Sequence, residues 1–384
     1  MFTSNKWPYR LLTPGPVPLL PEVSALLSEP VIHHRTPEFE KTLKNVLTGL
    51  KEIFATKQDV FIHTATGSGA MESAIVNTLS PGDEVLCIVS GKFGERWAQM
   101  CEVYGLIVDR INVPWGEAVN VTEVEKKIKA ETKAVLTQAC ETSTATIHPI
   151  KDLATIIKSL PNTIFMVDGI TAVGAMELEM DDWGIDVLIG GSQKAFMCPT
   201  GLAFIALSDK AWKFAEKSKL PKYYFDLKLE KESLKKGETH FSSNVLLIQA
   251  LEKILPNLAG PGRTKTRQRI ERLALATREA SQHLKMKVFS KAPSPSVTAI
   301  LVPEGIDSQK LRGHLEKEFN ITVMGGQDQL KGKILRIGHL GYILNEDMIA
   351  FFTALYTSLK TMGVDLNEKN LESAIETYKK RIII

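Results

Sequence analysis

Short apolar runs alternate with amphipathic segments from residue 57 onward. DVFIHTA (59–65) precedes SGAMESAIVNTL, and EVLCIVS (84–90) precedes FGERWAQMCEVYG. LIVDRI, a helix around VTEVEKKIKA, KAVLTQAC, a helix around DLATIIKSL, TIFMVDG, DVLIGG and LAFIALS follow. Strands that are apolar throughout, separated by helices, predict a largely parallel sheet covered on both faces. Ahead of it, PEFEKTLKNVLTGLKEIF spaces Leu43, Val46, Leu47, Leu50 and Ile53 for an amphipathic helix. After residue 260 the pattern changes. RTKTRQRIERLALATREASQHLKM reads as one long helix, followed by SVTAILVP, the helix SQKLRGHLEKEF, short strands ITVMGG and GKILRIGH, and two terminal helices. The expected division is an extended segment 1–20, rich in proline and glycine at YRLLTPGPVPLL, a large domain 21–260, and a small α+β domain 261–384.

Composition narrows the field without choosing a function. The chain has 384 residues, 44% hydrophobic and 24% charged, with a net charge of +3. No basic block invites nucleic acid or an anionic membrane. No apolar run approaches the ~18 residues of a membrane span, and MFTSNKWPYRLL lacks the pattern of a signal peptide. A cytoplasmic protein is expected. Cys87, Cys101, Cys140 and Cys198 show neither CxxC spacing nor a histidine pattern that would suggest zinc.

Chemistry is suggested first by DVLIGGSQKAF (186–196), which carries Lys194 into the apolar end of a strand behind two glycines. A lysine so placed must be solvated, paired, neutralised or covalently bound. Asp168 ends the strand TIFMVDG, 26 residues earlier, a spacing that brings both to one sheet edge. An imine-forming lysine and an acid that keeps a ring nitrogen protonated are what pyridoxal 5′-phosphate requires, although an acid there can equally be a strand-end cap. Thr66-Gly67-Ser68 precedes a helix expected near Gly69 and offers donors for a phosphate, or a plain cap. It lacks GxGxxG spacing, against a dinucleotide site. Phe93 in GKFGERW is core filler or a ring that stacks on a heteroaromatic. ACETSTA supplies Thr142, Ser143 and Thr144. Arg336, inside the apolar strand of GKILRIGHLG, asks for an anion: a substrate carboxylate or a structural partner. His34 and Arg35 in HHRTPEF, and His339 beside Arg336, are candidates for the site mouth or for ordinary structure.

LLTPGPVPLLPEV, TGSGAMES, GKFGERW, CETSTATIHPI, MVDGITAVGA, IGGSQKAFMCPTGLAFIALS and GKILRIGHLG together resemble the class V aminotransferases, closest to the alanine–glyoxylate and serine–pyruvate (serine–glyoxylate) branch. The resemblance covers nearly the whole chain. It implies the type I fold of pyridoxal phosphate enzymes: a large domain with a mostly parallel sheet and a smaller C-terminal α+β domain. It implies that Lys194 carries the cofactor as an internal aldimine and shuttles the proton, and that Asp168 binds the pyridine nitrogen. Thr66, Gly67, Ser68 and Gln193 would hold the phosphate. Phe93 and Ile170 would flank the ring, Ser143 would lie at its phenolic side, and Arg336 would clamp the α-carboxylate. Thr239 and Ser242, in GETHFSSNV, would reach the neighbouring subunit's phosphate site, implying a homodimer with shared active sites. Ala145 stands where relatives often have glycine, and Asn244 where they often have proline.

The expected activity moves the amino group of alanine or serine to glyoxylate or pyruvate by ping-pong half-reactions. Another class V enzyme, a lyase or a transaminase with a different donor, is the alternative, and a non-catalytic cofactor binder is a further one. A desulfurase needs a mobile cysteine, and none follows Cys198.

Overall fold

The computed structural model describes residues 7–383. The apolar runs become β1 (Val60–His63), β2 (Glu84–Val89), β3 (Ile107–Asn112), β4 (Thr132–Gln138), β5 (Ile164–Asp168), β6 (Val187–Gly191) and β7 (Ala203–Leu207). They form one seven-stranded sheet in the order β1-β7-β6-β5-β4-β2-β3. Neighbours from β6 through β5, β4 and β2 to β3 are parallel. β7 runs antiparallel to both β6 and β1.

Successive residues of a strand point to opposite faces, so a strand with no polar side must be covered twice. On β5, Phe165 and Val167 join one buried cluster while Ile164 and Met166 join the other. The first cluster lies under α1 (Pro37–Phe54); the second takes in α2 (Gly67–Thr78) and α3 (Lys92–Val103). Thr36 caps α1 by accepting from Phe39 N at 3.3 Å, with Pro37 in the first turn. Leu43, Val46, Leu50 and Ile53 are buried as the spacing requires, with Leu47 half-buried.

The structure departs from the sequence reading in several places. α2 begins at Gly67 with Thr66 as its N-cap, two residues before the expected start. A helix over Val245–Leu258 (α4) was not foreseen; Pro256 inside it reads as a breaker. It packs on α1, and Gly49 of α1 has no room for a Cβ against Leu255.

The long helix α5 (Gly260–Gln282) leads to a second sheet of β8 (Lys287–Val288), β9 (Val297–Leu301), β10 (Met324–Gly325) and β11 (Ile334–Gly338), ordered β8-β9-β11-β10 and antiparallel throughout. Helices α6 (Asn345–Thr361) and α7 (Glu368–Ile383) follow. Arg10–Leu11, near the start of the chain, pairs in parallel with Ile321–Thr322. The N-terminal segment is therefore laced to the C-terminal part of the protein.

Candidate active site

The ends of β4, β5 and β6 bring the candidate residues to one edge. Asp168 is the last residue of β5 and Gln138, its register partner, the last of β4. Lys194 follows β6 by three residues. Asp168 Oδ1 accepts from Ile170 N at 2.8 Å, and burial raises its carboxyl from 3.8 to about 6. Burial lowers Lys194 from 10.5 to about 8; Cys140 and Asp168 nearby act in the opposite sense, while Arg336 adds to the lowering. Lys194 Nζ donates to the Pro14 carbonyl at 2.8 Å. A lysine with this pKa carries a substantial fraction of free amine near neutral pH, the form that attacks a carbonyl.

The Thr66 turn faces Ile170, which also borders Gly191. Thr66 has N-cap geometry, yet its side chain makes no capping hydrogen bond. A Cβ on Gly67 would collide with the Ile170 side chain. One on Gly191 would meet Gln193 Oε1 at 3.0 Å and Ile170 Cγ2 at 3.4 Å. Gln193 Oε1 is buried without a hydrogen-bond partner, and both amide atoms of the fully buried Gln138 share that condition. Buried orphan groups are costly in a native fold and point to a missing partner.

Glu141 organises the neighbouring corner, and no role was assigned to it from sequence. It is fully buried, and burial raises its carboxyl. Oε2 accepts from Phe93 N at 3.1 Å and Gly94 N at 3.0 Å; Oε1 accepts from Ser143 N at 3.1 Å and Ser143 Oγ at 2.6 Å. It thereby caps α3 from outside and fixes Ser143, whose Oγ also accepts from Lys92 N at 3.1 Å. Arg96 is a second residue without an assigned role. It lies over the Phe93 ring at 4.9 Å, and its Nη1 donates to Ser68 Oγ at 3.0 Å. Its three-residue spacing from Phe93 on a helix was the available signal.

Arg336 comes from β11, with Nε donating to Gly325 O and Nη1 to Thr142 O, each at 3.0 Å. Only 5% of the residue is exposed, and among the described residues no carboxylate lies within ion-pair distance. The structural ion pair weighed as an alternative is absent from the described residues. Burial holds its guanidinium down at about 10, with Glu141 opposing the shift.

Other candidates lie apart. Thr239 donates to Phe241 O at 2.7 Å and shares a hydrogen bond with Ser243; with Ser242 it borders a small crevice beside His63, Thr64 and Tyr224. Arg35 pairs with Glu238, and His34 packs on His33. His339 is fully buried with Nε2 on Thr298 Oγ1 at 2.8 Å, and burial lowers it to about 3, so it stays neutral.

An aminotransferase class-V family model matches residues 23–339. The chain belongs to the class-V aminotransferase family. Membership implies pyridoxal phosphate as the cofactor and an amino acid and a keto acid as substrates. Relatives of this family member include a protein named soluble hydrogenase, small subunit, from Synechococcus sp. (strain PCC 6716), 37% identical over 92% of this chain and 93% of its own. Another is an L-aspartate–glyoxylate aminotransferase from Paracoccus denitrificans, 35% identical over 96% of each chain. Among solved structures, a ureidoglycine–glyoxylate aminotransferase from Bacillus subtilis matches with a TM-score of 0.92 and 27% identity, over 97% of this chain and 98% of that one. Among the described residues, no three of His, Cys, Asp or Glu group as ligands for a metal ion, and the four cysteines are buried and unpaired by disulfides. No helix of the described chain is long and apolar enough to cross a membrane.

Proposed function

We propose that this aminotransferase moves the amino group of a small amino acid, alanine or serine, to glyoxylate or pyruvate, with pyridoxal phosphate held at Lys194. The observation that carries the reading is Arg336: a buried cation without a carboxylate partner among the described residues, electrostatically coupled to the buried amine of Lys194. A guanidinium left this way binds an incoming α-carboxylate with two parallel hydrogen bonds. Glyoxylate as acceptor is supported by its place in the names of the Paracoccus and Bacillus proteins. A donor with a short side chain is supported by the crowding of Lys194 under Pro14 and Gly15.

The residues present fit the cofactor. Gln193 Oε1 lacks a partner, Thr66 leaves its hydroxyl uncommitted to capping, and a Cβ on Gly67 would collide with the Ile170 side chain. Thr66, Gly67, Ser68 and Gln193 hold the phosphate in this reading, with Thr239 and Ser242 contributed by the neighbouring subunit of a homodimer. Phe93, stiffened by Arg96, and Ile170 enclose the ring. Ser143 gives its proton to Glu141, so toward a ligand at the phenolic side it acts as an acceptor. Asp168 holds the proton at the pyridine nitrogen. Pyridoxal phosphate supplies a ring that takes up the electrons left when the Cα proton departs. Lys194 removes that proton and returns it on the other side of the exchange, and Arg336 orients the carboxylate so that the Cα–H bond faces the lysine.

The test is a matrix of donors (alanine, serine, aspartate, glycine) against glyoxylate, pyruvate and 2-oxoglutarate, run on protein whose yellow colour is bleached by borohydride with the label on Lys194. Transfer from alanine or serine to glyoxylate or pyruvate is expected to exceed the rest. Aspartate as the preferred donor, or a colourless protein that takes up no cofactor, would sink the proposal.

A further inference from the structure

The segment that covers Lys194 does not belong to the sheet that carries it. Pro14 O accepts the Lys194 Nζ hydrogen bond at 2.8 Å. Gly15, at φ +144°, lies so close that a Cβ there would sit 2.5 Å from Nζ, 2.6 Å from Cδ and 2.7 Å from Cε. Only glycine can pass over the lysine at this point.

The same segment is fastened at each end to the C-terminal part of the protein. Upstream, Arg10 pairs with Asp347 at 3.0 Å, and Leu12 N donates to Thr322 O at 2.9 Å. In the middle, Gly338 N donates to Leu12 O at 2.9 Å, and a Cβ on Gly338 would run into the Thr13 carbonyl. Downstream, Tyr342 N donates to Pro18 O at 3.0 Å, and Gly341 lies where a Cβ would be 2.7 Å from Val17 Cβ. Gly338 ends β11, the strand that presents Arg336 two residues earlier.

We infer that residues 12–16 form a positioning strap for the Lys194 amine: the strap shields the amine from water, accepts its hydrogen bond through the Pro14 carbonyl, and joins it to the strand that carries the carboxylate clamp. The inference rests on the roles proposed above for Lys194 and Arg336. The carbonyl fixes where the amine points. The cover removes water from it, and desolvation disfavours the ammonium. These two effects oppose each other on the amine's protonation; burial as a whole lowers Lys194, and the strap, in contact with Nζ, Cε and Cδ, is part of what buries it. The other groups facing the amine are Cys140, Asp168 and Arg336.

The test uses the full-length chain freed of cofactor. The rate of Lys194 acetylation by acetic anhydride is followed against pH by peptide mass spectrometry, with the exposed Lys291 as internal reference. Gly338→Ala unseats the strap without touching the lysine. Arg10→Gln loosens its far end and serves if the glycine variant fails to fold. Amide hydrogen exchange over residues 10–18 reports whether the strap has moved. The expected result is faster exchange together with an acetylation midpoint for Lys194 raised by about one pH unit, toward the ordinary lysine value. Faster exchange with an unmoved midpoint overturns the cover, whatever the plateau rate does. A folded Gly338→Ala protein in which neither quantity changes overturns the seating. Cofactor uptake by the unaltered protein, fixed by borohydride at Lys194, is read separately. Its failure would defeat the proposed function while leaving the acetylation result to stand or fall on its own.

Discussion

At the scale of single residues, the site is built from ionisable groups held in unfavourable states. Asp168 shows the consequence most directly. Its folded carboxyl titrates at about 6 against 3.8 for the ordinary side chain, with burial as the cause. Between those values the unfolded chain has already released the proton that the folded protein retains, so stability falls as pH rises from about 4 to about 6 and is level above. At about 1.4 kcal/mol per pH unit, the whole difference is on the order of 3 kcal/mol. Asp168→Asn removes the penalty while keeping an oxygen for the Ile170 N–H. The cofactor-free variant is therefore expected to resist urea better than the parent at pH 7.5, by up to roughly 3 kcal/mol, and to match it near pH 4. The same substitution should weaken cofactor binding, because in the proposed function the charge that costs stability without cofactor is the one assigned to the pyridinium proton. Equal unfolding free energies at pH 7.5 would show that the carboxylate is not strained as described.

At the scale of elements, Glu141, three residues beyond β4, ties the start of α3 to the Ser143 turn. All four of its partners donate, two to each oxygen. Only a carboxylate accepts on both sides; an amide would turn an NH2 group against either Phe93 N and Gly94 N or against Ser143. Glu141→Gln is expected to lower stability by about 1–3 kcal/mol, the cost of a buried unpaired donor, and to loosen cofactor binding as Phe93 and Ser143 shift. Thermal unfolding and a cofactor titration check both; an unchanged protein on both counts would refute the arrangement. Legibility in the sequence divides along this line. Apolar continuity made the strands visible, and the turns after β1, β2, β4, β5 and β6 carried residues whose chemistry was readable one at a time. Arg336 could be read as well, because a cation inside an apolar strand has few uses. Glu141 could not be read, since its partners are backbone N–H groups that any sequence supplies. The strap escaped for a related reason: TPGP announces an irregular segment but not what it lies across. Helix α4 was missed because Pro256 inside it reads as a breaker.

At the scale of the whole molecule, the open question is what covers the segment 221–243. Tyr223 is 79% exposed and Tyr224 42%, and both pack against Phe241, next to Thr239 and Ser242. Exposed clustered rings of this kind mark a surface that meets another protein, and a second copy of the chain is the partner that the proposed sharing of the phosphate site requires. Mixed dimers decide it. Ser242→Glu places a negative charge on an exposed position at the proposed phosphate contact, and Lys194→Ala removes the amine; each variant alone should be nearly inactive. When the two are unfolded, mixed equally and refolded together, half of the dimers are hybrids. If Ser242 serves the other subunit's site, each hybrid contains one site with an intact lysine facing an intact serine. Mixing should then restore about a quarter of the activity of an equal amount of unaltered protein. If Ser242 serves its own subunit, every site in the hybrid carries one of the two lesions and no activity returns. Recovery therefore distinguishes a shared site from a private one, and its absence in mixtures shown to contain hybrids would remove Thr239 and Ser242 from the neighbouring subunit's site.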